Sequence, residues 1–361
     1  MFRTFCLVPL LALAAACSGT NAGTAGTPGT ASHGAGTPAH TDPSKWPGEC
    51  SKPLPTTKVS LPKDDTIHAD DAEWWYWTGH LQTADGRWFG FEEVFFRIIR
   101  QGARGVMVHS ALTDVQGQKF YHRSNLSLTE LPPTPNGFDY ASYAQTATGG
   151  DGHDTLHGEG QGYAFDLALD HTKRATLQHG LGYTDYPFGG YTYYYSRERM
   201  AVTGTVVVGD TALAVTGTGW FDHQYGDLSS AVTKGWDWFA FQLDDNREIM
   251  LFVVKDGATP VVVGASMTDA NCVTTELKPA DFEIIPTGTW KSPHTDCTYP
   301  QGWKVRVKDM NFVVSPVMPD QEVYKSMPIY WEGAATVSGS ATGRAYVELS
   351  GYCEISTTPR P

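Results

Sequence analysis

Residues 73–97 constrain the fold of this chain more than any other stretch. Glu73 to Gln82 reads EWWYWTGHLQ, Asp85-Gly86 follows, and Trp88 to Arg97 reads WFGFEEVFFR. Aromatic residues suit a pleated surface, and Asp-Gly between two such runs is a strong hairpin signal. The pattern recurs along the chain. Val106 to Asp114 and Lys119 to Arg123 flank Gln116-Gly117-Gln118, and Met200 to Val208 and Thr211 to Phe221 flank Gly209-Asp210. Gly235 to Leu243 and Arg247 to Val254 flank Asp244-Asp245-Asn246, and Tyr330 to Gly339 precedes Arg344 to Tyr352. No stretch shows convincing helical periodicity. The expectation is an all-β chain of short antiparallel strands, a barrel or sandwich, and a barrel of about eight strands holds one small ligand. Aromatic hairpin blocks starting near Glu73 and near Trp236 hint at doubling, with domains expected over residues 51–225 and 226–361.

The N-terminal residues read as an address. Arg3 precedes an apolar run from Phe5 to Ala16, too short to span a bilayer permanently and suited to a secretory signal over residues 1–16. The run ends Leu13-Ala14-Ala15-Ala16-Cys17, which resembles a bacterial lipobox and implies acylation of Cys17 after cleavage. Ser18 to Gly48 is dominated by Gly, Thr, Ala, Ser and Pro, so residues 17–50 are expected to act as a tether spanning roughly 30 Å. The expected location is the bacterial cell envelope, lipid-anchored, at the outer membrane or facing the periplasm if the host is Gram-negative.

Charge narrows the partners. The 26 Lys plus Arg stand against 39 Asp plus Glu, a net charge of −13, without a basic cluster to hold phosphates. Nucleic acid is therefore not an expected partner. Cys50, Cys272, Cys297 and Cys353 remain after the signal and the lipid site are set aside. Four cysteines in an exported chain read as two disulfides with three possible pairings. The favoured set is Cys272 with Cys297 and Cys50 with Cys353.

No Gly-x-Ser-x-Gly elbow, His-Glu-x-x-His or Walker loop occurs. His153, Asp154 and His157 carry ligand chemistry, but their Gly/Asp-rich surroundings read as a solvated turn, so neither a metal nor a cofactor is expected. Trp220 to Gly226, WFDHQYG, is more informative. As a strand it puts Trp220, Asp222 and Gln224 on one face and Phe221, His223 and Tyr225 on the other. Either a pocket or a buried network that pins strand register accounts for it. In Gly235 to Gln242, GWDWFAFQ, alternation places Asp237 with Phe239 and Phe241. A carboxyl desolvated among apolar groups stays protonated near neutrality and suits a general acid; an Asp bonded at a strand end is the plainer account. Glu93 and Arg97 share a face with Phe89, Phe91 and Phe95, where charge is costly unless paired. Glu73, His80 and His109 are available partners.

Taken in order, HADDAEWWYWTGHL from His68, FGFEEVFFR from Phe89, HSALTD from His109, YSRERM from Tyr195, GWFDHQYG from Gly219, GWDWFAFQL from Gly235 and YWEG from Tyr330 resemble the lipocalin-like carotenoid 1,2-hydratase (hydroxyneurosporene synthase) family, including its branch labelled predicted secreted hydrolases. The resemblance covers about residues 60–352. It implies two tandem lipocalin-like antiparallel β-barrel domains with a cavity near their interface. Named members hydrate a terminal double bond of an acyclic carotenoid, and distant relatives cyclise polyketide products. It further implies an apolar substrate in an aromatic pocket, with Asp222 or Asp237 as acid and His223 and Tyr225 orienting the acid or water. Trp236 and Trp238 would stabilise a carbocation through their faces. Trp74, Trp75, Glu73, Glu93, Arg97 and His109 are the further residues expected at the ligand. Glu92 and Glu93 depart from the family pattern, which carries a Gln and a neutral residue there. Two readings follow: an exported hydratase, isomerase or hydrolase acting on an isoprenoid- or lipid-like molecule, or a binder that carries such a molecule without turnover.

Overall fold

The structure, a computed structural model, describes residues 42–353 apart from Thr56, Gln101, Ser229, Val232, Thr233 and Met327. The expected signal, Cys17 and most of the tether lie outside the described residues. Twelve strands form the first sheet: β1 (Ala72–Gln82), β2 (Trp88–Arg100), β3 (Ala103–Asp114), β4 (Lys119–Ser127), β5 (Phe138–Ser142), β6 (Gln145–Gly150), β7 (His153–Gly160), β8 (Tyr163–His171), β9 (Thr176–Leu177), β10 (Tyr183–Asp185), β11 (Tyr191–Val208) and β12 (Thr211–Asp227). The next twelve are β13 (Gly235–Leu243), β14 (Glu248–Asp256), β15 (Thr259–Thr268), β16 (Thr274–Leu277), β17 (Phe282–Pro286), β18 (Thr289–Lys291), β19 (Thr298–Pro300), β20 (Trp303–Val307), β21 (Met310–Pro316), β22 (Glu322–Val323), β23 (Tyr330–Gly339) and β24 (Gly343–Ser350). Ten of these form the second sheet, and β18 pairs with β19 alone.

Each large sheet curls into a nearly closed antiparallel barrel, so the all-β, tandem lipocalin-like expectation holds. The first sheet runs β4-β3-β2-β1-β12-β11-β8-β7-β6-β5. Side chains stitch its two edges. Asn125 Nδ2 donates to Gln145 Oε1 at 2.9 Å and Tyr143 Oη to the Leu126 carbonyl at 3.0 Å. Alternation fills the interior with Trp75, Trp77, Phe91, Phe95, Tyr195 and Phe221, all fully buried. The second barrel encloses Phe239, Phe241, Trp303 and Trp331.

The residues between these project outward, where a soluble barrel would be polar. Here Tyr76, Val94, Tyr194 and Trp220 of the first barrel pack against Trp238, Ala240, Met250, Ala334 and Tyr346 of the second. A third apolar core therefore lies between the barrels. Hydrogen bonds dovetail it: Gln242 Nε2 donates to the Glu198 and Gly219 carbonyls, each at 2.9 Å, and Thr113 Oγ1 to Gln321 Oε1 at 3.0 Å. Gly90 lies close against the second barrel. A Cβ there would lie 2.8 Å from Ala334 Cβ, inside contact distance. Gly90→Ala should cost about 1–3 kcal/mol through overpacking, read as a lower urea midpoint with an unchanged far-ultraviolet spectrum.

Two expectations are corrected. The disulfides are Cys50–Cys272 and Cys297–Cys353, with Cα separations of 4.9 and 4.3 Å, not the favoured pairs. Cys272 lies in the turn between β15 and β16, where the Glu49 amide donates to the Asn271 carbonyl at 2.8 Å. After β16 the chain leaves that sheet edge and re-enters at the opposite edge as β17, which separates Cys272 from Cys297 despite their nearness in sequence. The second correction concerns His153, Asp154 and His157, which lie on strand β7 rather than in a turn. The glycines that suggested a loop accommodate rings instead: a Cβ on Gly158 would sit 2.2 Å from the Phe165 ring. Asp154 points inward and accepts from Trp77 Nε1 at 2.9 Å.

Candidate active site between the barrels

The outward faces do not meet everywhere. They leave a cavity of about 140 Å³ whose lining is mostly aromatic and aliphatic. Trp74, Tyr76, Val94 and Phe96 contribute from β1 and β2, and Trp236, Trp238, Phe252 and Val254 from β13 and β14. Into this apolar wall project Glu92, His109, Asp222, Tyr330 and Glu348. They come from β2, β3, β12, β23 and β24, so both barrels are needed to assemble the set.

Glu92 is fully buried. Tyr330 Oη donates to its Oε1 at 2.9 Å and lies 2.8 Å from His109 Nδ1. Glu92 Oε2 and His109 Nε2 have no hydrogen-bond partner among the described residues. Burial pushes the Glu92 carboxyl up to about 8, against the single donor that favours its charged form. Burial also pushes His109 down to about 3. At neutral pH the site thus holds a protonated carboxylic acid and an uncharged imidazole, bridged by a phenol.

Asp222 meets different surroundings. Its Oδ1 accepts from Ser196 Oγ at 2.5 Å and Trp220 Nε1 at 2.7 Å, and its Oδ2 from Tyr194 Oη at 2.5 Å. Burial raises its pKa and these donors oppose the rise, leaving it at about 6. Asp222 is therefore largely ionised where Glu92 is largely protonated. Glu348, raised to about 7 by burial, feels the charge of Asp222, and Glu92 feels the charge of Glu348. Nearby, Tyr76 Oη donates to Glu332 Oε1 at 2.7 Å, a carboxyl held well above the usual range by burial.

The residues singled out from the sequence separate into groups. Trp74, His109, Asp222, Trp236 and Trp238 line the cavity. His223 and Trp75 lie on the other strand face, fully buried in the first barrel. His223 contacts Glu73 and Tyr195, and Tyr225 stacks on His68 with ring centroids 3.5 Å apart. Glu93 also points into that barrel, and neither carboxyl oxygen has a partner among the described residues. Arg97 bonds Glu130 at 2.7 Å and lies 3.9 Å from Glu73. Asp237 lies away from the cavity lining, with Lys255 Nζ at 2.6 Å and Tyr352 Oη at 2.8 Å. Burial raises its pKa and Lys255 opposes the rise. Asp222, His223 and Asp237 are thus in three places. Sequence reasoning passed over Tyr330, Glu348 and Tyr194, and noted Glu92 only as a departure from pattern. The signal for Glu92 was available: it alternates with Val94 and Phe96, opposite in sense to Glu93.

The two antiparallel barrels in tandem place this protein in a class of lipocalin-like tandem-barrel proteins. A family model described as AttH-like matches residues 52–352, and the chain belongs to that family. Among solved structures, an AttH-type protein from Nitrosomonas europaea is similar at 27% identity and TM-score 0.76, over 83% of this chain and 99% of that one. Kievitone hydratase from Nectria haematococca shares the fold at 18% identity and TM-score 0.72, over 88% of this chain and 99% of that one. No curated protein matches the sequence significantly.

Proposed function

We propose that this chain is an enzyme that adds water to, or removes it from, a hydrophobic isoprenoid- or lipid-like molecule bound between the barrels. The observation that carries this reading is that two buried carboxyls line one apolar cavity in unlike settings, Glu92 with one hydrogen-bond donor and Asp222 with three. Hydration of an alkene starts with proton transfer to carbon. Glu92 gives that proton, and the π electrons of the alkene form the new C–H bond. The cation left behind faces the Asp222 carboxylate and the rings of Trp236 and Trp238, which stabilise it electrostatically. Water attacks the cation and loses its proton to Asp222. Glu348, which senses both carboxyls, returns that proton toward Glu92. The architecture shared with a named hydratase supports this chemistry at the level of fold.

The reading extends to export and anchoring through Cys17, supported by the lipobox-like sequence and by two disulfides, which persist in oxidising compartments. Hydrophobic small molecule and membrane are its partners.

The test is mass spectrometry of organic extracts from protein purified out of its native envelope, alongside Asp222→Asn and Asp237→Asn variants. Wild type and Asp237→Asn should carry a hydrated or dehydrated product. Asp222→Asn should carry the unreacted precursor, with turnover down about 10²-fold or more. The same intact lipophile in all three proteins overturns the enzyme reading in favour of a carrier.

A further inference from the structure

Three ligand-type groups converge at the end of the first barrel, apart from the cavity. His68 stands on the segment entering β1, Glu73 on β1 and His223 on β12. His68 Nδ1 lies 2.7 Å and His223 Nε2 lies 2.9 Å from the same oxygen, Glu73 Oε1. The other carboxylate oxygen is separately engaged: Oε2 accepts the His68 amide at 2.9 Å and has Arg97 at 3.9 Å.

The hydrogen-bond network assigns the proton on His223. Asp65 is ion-paired to Arg197 through two 3.0 Å contacts and is an acceptor only. Tyr195 has one proton and donates it to Asp65. Its oxygen, 2.9 Å from His223 Nδ1, must then accept, which places the ring proton on Nδ1. Nε2 then meets the carboxylate oxygen as a lone pair in the neutral ring and as a second N–H in the imidazolium. In the neutral ring the facing lone pairs at 2.9 Å repel unless a cation lies between them, the place that the imidazolium fills with its own proton.

We infer that His68 Nδ1, Glu73 Oε1 and His223 Nε2 form a binding site for a divalent cation of the zinc class. Two imidazoles and one carboxylate are a ligand set that such ions favour, leaving a fourth position open. The imidazole centroids lie 5.6 Å apart, with the rings inclined at 45°. Metal–ligand bonds of about 2.0–2.1 Å require the three atoms to spread by about half an ångström. His68 has room to do so, because its side chain keeps 18% of its exposure, which also opens a way in for the ion. The contacts of Tyr195 with His223 and of Arg97 with Glu73 supply the outer shell that orients a metal ligand. Among the described residues the other convergence of ligand types, Cys297 with Glu322 and Cys353, is closed by the disulfide.

The test uses untagged protein stripped with chelator, titrated with zinc chloride by calorimetry and checked by elemental analysis after gel filtration. One equivalent of zinc is expected, with a melting temperature that rises with zinc concentration. His68→Ala, on the partly exposed entry segment, should weaken binding at least about 10-fold while keeping the wild-type circular dichroism spectrum; Tyr195→Phe should weaken it about 10–100-fold. His157→Gln, on the outer face of β7, should change nothing. Two results overturn the site. One is the absence of stoichiometric zinc, with nitrogen NMR placing protons on both nitrogens of His223. The other is zinc binding that His68→Ala leaves intact.

Discussion

Glu92→Gln should lower turnover by at least about 10²-fold while leaving the fold and ligand occupancy in place. The substitution removes the transferable proton and little else. The wild-type carboxyl is uncharged at neutral pH, so the amide preserves the charge state of the cavity, and its oxygen still accepts from Tyr330. The pH profile supplies an independent check. Activity should rise as Asp222 ionises near 6 and fall as Glu92 loses its proton near 8, and Glu92→Gln should abolish the upper limb. Stability follows the same proton. The folded-state pKa of Glu92 is raised above its ordinary value of 4.5, so its contribution is fully present below that value. It is lost as pH rises through about 8. A variant that keeps both the wild-type rate and the falling limb would move the acid elsewhere in the cavity, with Glu348 next in line.

The largest loss of stability should come from Arg197→Met. Arg197 and Asp65 are buried at 2% and 0% side-chain exposure. Arg197 holds both Asp65 oxygens, Tyr195 bonds Oδ1, and the Asp151 amide donates to Oδ2 at 2.7 Å. Nearby Asp154, raised to about 6 by burial against the pull of Arg197, is a second carboxylate that leans on the same guanidinium. Removing only the guanidinium strands a buried carboxylate, which costs about 3–5 kcal/mol, or roughly 4–8 °C in Tm for a chain of this size. The double variant Asp65→Asn with Arg197→Met should recover much of that loss, because the Asp65 carboxylate is no longer stranded. Thermal denaturation of the two variants decides it: equal melting temperatures would mean that the charge pair contributes nothing beyond packing.

Much of the fold was readable because a strand has a strict period of two. That period separated Trp220, Asp222 and Gln224 from Phe221, His223 and Tyr225, and the structure keeps the two sets on opposite faces. Alternation does not say which face meets a second barrel. Glu92 and Tyr330 touch across 238 residues of sequence, and nothing local to either residue reports the other. The disulfides escaped for the same reason, since sheet edges rather than chain spacing decide which cysteines meet. The β7 error had a different source. Glycine signals a turn when backbone freedom is needed, but Gly158 and Gly160 sit under the Phe165 and Tyr163 rings on a regular strand.

The Cys50–Cys272 bridge has a mechanical side. Its sulfurs join the short 3-10 turn Gly48–Ser51 to the β15–β16 turn, 222 residues later. A pulling force entering at residue 42 therefore passes through the bridge into the second barrel. The stretch from Lys52 to Asp71, which carries Asp65 and His68, lies behind the bridge and takes no direct tension. Strain arriving along the chain ahead of Cys50 is thus diverted from β1, and the first barrel's buried charges are shielded from it for as long as Cys50 stays oxidised.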